Sequence, residues 1–213
     1  MKRTFISIFL VVAFVFSAAC IPISATDNYS DIVGHWAEAA IREWGDNGII
    51  TTFSDGFHPD EAITYGDWLN IYLKFFPGNG KPTDYVYANT VLTREAAIVV
   101  LANSFKYSSA DATSTFKDND SISAWAVESV AAMQNAGIVL GDDGYLNPKE
   151  ALTRAEFIAM LDRCIVLYCA SGTFSTDVDG NVIITKTGVT LHDMVIDGDL
   201  FITADNSDDA ITL

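Results

Sequence analysis

The chain has 213 residues, of which half are hydrophobic and 12% aromatic, and its formal net charge is −16. That apolar content builds a core and excludes a wholly disordered chain, while the length allows one or two small domains. The acidic balance excludes nucleic acid and anionic lipid as partners, since both are gripped by patches of Lys and Arg.

Residues 1–25 read as an export signal. Lys2 and Arg3 form the basic start, Phe5 to Phe16 an apolar run short for a bilayer, and Ser17, Ala18, Ala19, Ser24 and Ala25 a small-residue tail. Cleavage after Ala25 is the preferred reading, with an uncleaved anchor or a lipid-modified Cys20 as alternatives. After cleavage no segment is long and apolar enough for a membrane. Only Cys164 and Cys169 then remain, expected on one helix but on different faces. That placement suits two small buried hydrophobes better than a disulfide or a zinc set.

From residue 27 onward the chain repeats itself. Trp36, Ala37, Gly48, Ile49, Pro59, Glu61, Ala62 and Thr64 recur as Trp125, Ala126, Gly137, Ile138, Pro148, Glu150, Ala151 and Thr153, at a constant offset of 89. One supersecondary unit is therefore used more than once. In the first copy (27–79), Trp36, Ala40, Ile41 and Trp44 predict a helix that Gly48 stops. A loop through Ser54-Asp55-Gly56-Phe57-His58-Pro59 follows. A second helix starts at Thr64 and buries Trp68, Leu69, Tyr72 and Leu73. Residues 80–107 hold a partial copy: Leu92-Thr93-Arg94-Glu95-Ala96 opens a helix through Val99, Val100 and Phe105, but Pro77 to Val91 offers no first helix. The third copy (111–170) places Trp125, Val130 and Met133 on its first helix, Gly137 at its end and Asp143-Gly144 in the turn. Phe157, Ile158, Leu161 and Ile165 lie on its second helix. Units this small must pack on one another.

Residues 171–213 change character. Asn181 to Thr185, Val189 to Ile196 and Leu200 to Thr203 predict strands about every eight to ten residues, resembling a small sheet or the first rungs of a β-solenoid. The chain stops at Ile211-Thr212-Leu213 within what reads as another strand, the expectation for a fragment of a longer protein.

The second helices carry the chemistry. Thr153 and Glu156 form an S/T-x-x-E capping box, Thr64 with Asp67 forms its counterpart, and Thr93 caps the partial copy. Arg154 and Arg94 sit in the first helical turn, where the macrodipole disfavours a cation. Such a cation, beside free N–H groups, is placed to meet a carboxylate. The alternative is pairing with a loop carboxylate such as Glu150 or Asp142.

Thr-Arg-Ala-Glu after a Pro-containing loop, preceded by Gly-Ile and by a helix opening on Trp-Ala, resembles the S-layer homology (SLH) module across Tyr29 to Cys169. Tyr29-Ser30-Asp31 and Phe116-Lys117-Asp118 fit its opening. The resemblance implies a mainly α fold of helix-loop-helix repeats in a pseudo-threefold bundle, here followed by the β-rich, solenoid-like segment. It also implies a secreted, non-catalytic protein at the cell wall. Its partner is secondary cell-wall polysaccharide, often pyruvylated, bound non-covalently in grooves between repeats, with surface-layer or adhesion partners as further candidates. Carried over by position, Arg154 and Arg94 contact the anionic sugar, Trp125 and Trp36 line or support the groove, and Asp118 and Asp31 are the acidic residues at each module start. The Trp residues have a second reading, as core. Two departures stand out: Tyr65 replaces the Arg of the first copy, and the partial copy reads Arg-Glu-Ala. The competing reading is an SLH-anchored carbohydrate-active enzyme whose catalytic β-solenoid lies beyond this chain; a folded spacer is a third.

Other patterns read as structure. Asp177-Val178-Asp179-Gly180-Asn181 has its Gly misplaced for a calcium loop and reads as a turn. Asp205, Asp208 and Asp209 read as a solvated turn. His35, His58 and His192 are scattered, so no metal, cofactor or catalytic residue is expected.

Overall fold

A computed structural model describes residues 29–50, 55–76, 87–109, 111, 113–204 and 211–213. The export-signal reading, Ser54, Pro77 to Val86 and the turn at Asp205 to Asp209 lie outside the described residues. Among those described, five helices come first: α1 (Glu38–Asp46), α2 (Tyr65–Phe75), α3 (Arg94–Ser104), α4 (Val127–Asn135) and α5 (Arg154–Arg163). Five short strands follow: β1 (Leu167–Cys169), β2 (Gly172–Phe174), β3 (Val182–Ile184), β4 (Val189–Leu191) and β5 (Leu200–Ile202). None of the described helices is long and apolar enough to cross a membrane.

Each first helix packs on the second helix of another copy: α1 lies on α5, and α4 on α3. The copies are also joined through backbone. Just before each capping Thr, the amide of Ile63 donates to the Leu152 carbonyl (2.8 Å), that of Leu152 to Leu92 (3.1 Å) and that of Leu92 to Ile63 (3.0 Å). The three bonds close a ring, and all three side chains are buried. Outside the ring, Thr64 bridges to Val91, Thr93 to Ala151 and Thr153 to Ala62, all antiparallel. No copy satisfies these backbone groups alone, and a buried unpaired amide is costly.

The first helices start later than their sequence pattern predicts. Trp36 and Trp125 precede α1 and α4 and are 64% and 58% exposed, so the core reading of both is corrected. Trp44 does enter the core. In α2, Leu69, Ile71 and Phe75 are the buried positions, while Trp68, Tyr72 and Leu73 are only partly covered. The Asp143-Gly144 turn has positive φ at both residues, with Asp142 and Tyr145 exchanging two backbone bonds. This is the mirror-image hairpin turn that Asp-Gly favours.

The β part begins earlier than predicted. α5 stops at Arg163, so Ile165 lies past its end, and Cys169 is on β1 rather than on a helix. The switch has a local cause. Asn181 is buried and bonds the Cys164 carbonyl through Nδ2 (2.9 Å) and the Asp199 amide through Oδ1 (2.9 Å). This ties the end of α5 to two successive turns. Both cysteines are free and buried; burial raises both thiol pKa values, that of Cys169 to about 11.

All strand pairing is parallel, in the orders β1-β3-β5 and β2-β4. Gly198 lies against the Gly180 backbone, where a Cβ would fall 2.4 Å from the Gly180 carbonyl group; only glycine lets these turns stack. Alternation along the strands divides the side chains. Tyr168, Ile183 and Phe201 form one register column facing the helices, and Phe201 meets Phe75, Phe76 and Phe105 edge-on at 5.4–5.6 Å. Cys169, Val182, Ile184, Val189 and Leu191 build a second, smaller core.

Candidate functional site

The first turn of each second helix is fully engaged. In α3 the Arg94 and Glu95 amides donate to the Glu150 and Pro148 carbonyls (2.8 and 3.1 Å). In α5 those of Arg154 and Ala155 donate to Glu61 and Pro59 (2.8 and 2.9 Å), and in α2 those of Tyr65 and Gly66 to Thr90 and Ala88 (2.8 and 2.9 Å). Thr93, Thr153 and Thr64 then accept from the amides of Ala96, Glu156 and Asp67, and the last two helices have complete capping boxes. Gly66 is required here, because a Cβ would lie 2.9 Å from the Ala88 carbonyl oxygen. The expectation of free helix amides awaiting an anion is therefore corrected: neighbouring copies already fill them.

The guanidinium groups are engaged too. Arg94 Nη1 donates to Glu156 Oε1 at 2.8 Å. Arg154, 8% exposed, donates through Nη1 to the Phe57 carbonyl (3.2 Å) and lies 3.5 Å from both Glu61 and Asp67. Glu156 and Asp67 are capping residues of the neighbouring copy, whereas Glu61 is a loop carboxylate at the position that Glu150 holds in the third copy, so Arg154 meets a loop carboxylate as well as a cap. At the third junction the corresponding positions are Tyr65 and Ala96, so cation and carboxylate are lost together. Tyr65 packs on Trp68 instead (5.0 Å).

In the partial copy the acid has moved one place, to Glu95, and gained a different task. It is 3% exposed and accepts from the Ser123 amide and hydroxyl (2.9 Å each) and from Lys149, holding the entry to α4 beside Trp125.

Asp31 and Asp118 point into their own copies. Asp31 accepts from the Phe57 and His58 amides (3.1 and 2.6 Å), and Asp118 from those of Leu146 and Asn147 (2.9 and 2.8 Å). Each carboxylate closes the loop between its two helices. Burial works against the charge of Asp31, Asp118, Glu95 and Glu156, but hydrogen-bond donors outweigh it and hold all four below their ordinary pKa. A depressed folded pKa stabilises above the unfolded value, about 4 for these groups. That contribution is lost as pH falls through the folded pKa. Urea titrations at pH 7 and at successively lower pH are expected to show a falling midpoint below about pH 4.5.

Two clefts lie at these junctions. One, of about 570 Å³, is floored by Ile49, Phe57 and Ile71, with Asp67 and Lys74 on its wall and Arg154 arriving from the third copy. The other, of about 640 Å³, has Ile138, Leu146, Met160, Glu156 and Arg163 at the same positions shifted by 89, with Arg94 arriving from the partial copy. Trp36 and Tyr145 line only this second cleft; Trp125 lines neither. A basic residue recurs at 74 and 163 with the 89-residue offset, the sequence signal for a second cation in each cleft.

Residues 28–67 and 115–158 match the family model described as S-layer homology domain. Two segments of the chain are thus similar to S-layer homology domains. Both matched segments contain an opening Asp, a Trp-Ala and a capping Thr. The Cell surface glycoprotein 1 of Acetivibrio thermocellus is 26% identical to the chain over 140 residues. The match spans 64% of this chain but only 5% of that protein. In SLH terms, the clefts belong to junctions between modules: each takes its wall from one copy and its arginine from another.

Proposed function

We propose that this chain is a non-catalytic anchor, binding acidic secondary cell-wall polysaccharide non-covalently in the clefts between its SLH copies. Its place is the cell surface, the location that SLH domains and the surface-glycoprotein relative both indicate. The observation carrying the proposal is the pair of equivalent clefts, each sized for a small ligand and each receiving an arginine across a copy boundary. The closed ring through Ile63, Leu92 and Leu152 supports reading the three copies as one pseudo-threefold unit. The in-register parallel strands support reading the C-terminal part as the start of a β-solenoid projecting from it.

Because both arginines are paired internally, the glycan shares or displaces the carboxylate beside each arginine instead of filling an empty site. Trp36, exposed in the Arg94 cleft, offers a face for a sugar ring.

Sedimentation with purified sacculi tests the proposal. Arg94→Ala and Arg154→Ala are each expected to weaken pelleting about tenfold, the scale of one charge-assisted hydrogen bond. Circular dichroism and Arg154→Lys report on the fold. Undiminished pelleting of both folded alanine variants would count against the clefts as the binding sites.

A further inference from the structure

We infer that Lys74 is the residue that selects for an acidic sugar, and that the two clefts differ in what they hold. The inference rests on the polysaccharide-binding reading above and refines it.

The clefts share a plan but not a charge balance. Among the described lining residues of the Arg154 cleft, Asp67 is the sole carboxylate facing two cations, Arg154 and Lys74. In the Arg94 cleft three carboxylates, Asp142, Glu150 and Glu156, face Arg94 and Arg163. With Glu61 also beside Arg154, the first cleft sets two carboxylates against its two cations, and an anion entering the second cleft meets one carboxylate more.

Within the Arg154 cleft the two cations are also unequal. Arg154 is buried, with Asp67, Glu61 and the Phe57 carbonyl around its guanidinium. Its charge is largely committed to the protein. Lys74 is exposed on the last turn of α2 and has no carboxylate partner among the described residues. At the equivalent position, Arg163 donates to the Ile138 carbonyl (3.1 Å) and so is partly committed. Lys74 is thus the cleft cation with most charge to offer. The C-terminal dipole of α2 also favours a cation there, but that role needs no cleft and adds only a few tenths of a kcal/mol.

The Arg94 cleft, with a surplus of carboxylates and with Trp36 and Tyr145 on its rim, suits an uncharged stretch of the same polysaccharide, held by ring stacking and hydrogen bonds. One glycan chain then has its acid read at Lys74 and its neutral part held at Trp36.

The test uses the intact chain and two probes: sacculi with their glycan carboxylates intact, and the same sacculi after carbodiimide amidation of those carboxylates. Wild type is expected to pellet about tenfold more tightly with the intact material. Lys74→Ala should bring binding of the intact material down to the amidated level, and Lys74→Arg should restore the preference. Trp36→Ala should weaken binding to both materials by the same factor. A Lys74→Ala variant that keeps the wild-type preference overturns the inference while leaving wall binding intact. Failure of wild type to pellet with either material overturns the anchoring reading itself, and this refinement with it.

Discussion

Trp44→Ala is expected to cost about 3–5 kcal/mol of stability, the range for truncating a large buried aromatic residue. Trp44 has no exposed surface and touches elements from across the chain. From α1 its indole Nε1 donates to Asp162 on α5 (2.9 Å), its ring meets Tyr168 of β1 edge-on at 5.0 Å, and Phe75 of α2 lies 5.8 Å away. Truncation opens a cavity where the helical and β parts meet and strips Asp162 of its donor. A domain of this size is stable by only about 5–15 kcal/mol, so the loss is a large share of the total. Urea denaturation followed by far-ultraviolet circular dichroism measures it. Trp44→Phe keeps much of the packing but not the hydrogen bond, and should fall between wild type and Trp44→Ala. Equal stability of wild type and Trp44→Ala would mean that this contact does not join the two parts.

Asp118→Ala should cost about 2–4 kcal/mol, because two amides each lose a charged acceptor, at about 1.5–3 kcal/mol per bond before solvent screening. Those amides, of Leu146 and Asn147, lie in the loop that walls the Arg94 cleft. The same variant should therefore weaken wall binding although Asp118 lines neither cleft. Asp118→Asn retains one acceptor oxygen and should recover part of both losses. Hydrogen exchange at residues 146 and 147 separates this loop-closing role from direct sugar contact, since only the former predicts faster exchange without ligand.

The local grammar of the repeats was legible because it depends on neighbours in sequence. Capping Thr residues, glycine stops, the Asp-Gly turn and the period of Ile41 and Trp44 all follow from backbone geometry within a few residues. The 89-residue offset, read from Trp36 to Thr64, located both segments that the family model matches. Sequence patterns mislead where one residue satisfies two of them. Trp36 and Trp125 continue the helical period yet fall before the first helical turn, where both stay mostly exposed. A helix continued from α5 would include Cys169, but Asn181, 17 residues beyond Cys164, ties off the helix end where the strands start.

The sequence alone determined the repeated unit, its caps and the positions of its arginines, since these are short-range consequences of residue type. What each arginine faces was decided only by tertiary structure. Arg94 reaches Glu156 and Arg154 reaches Asp67 because the copies close into a ring, which brings the first turn of one helix against the cap of another 60 or more residues away. No periodicity encodes that pairing. It arises because each copy leaves backbone amides and a helical face that only its neighbours can satisfy.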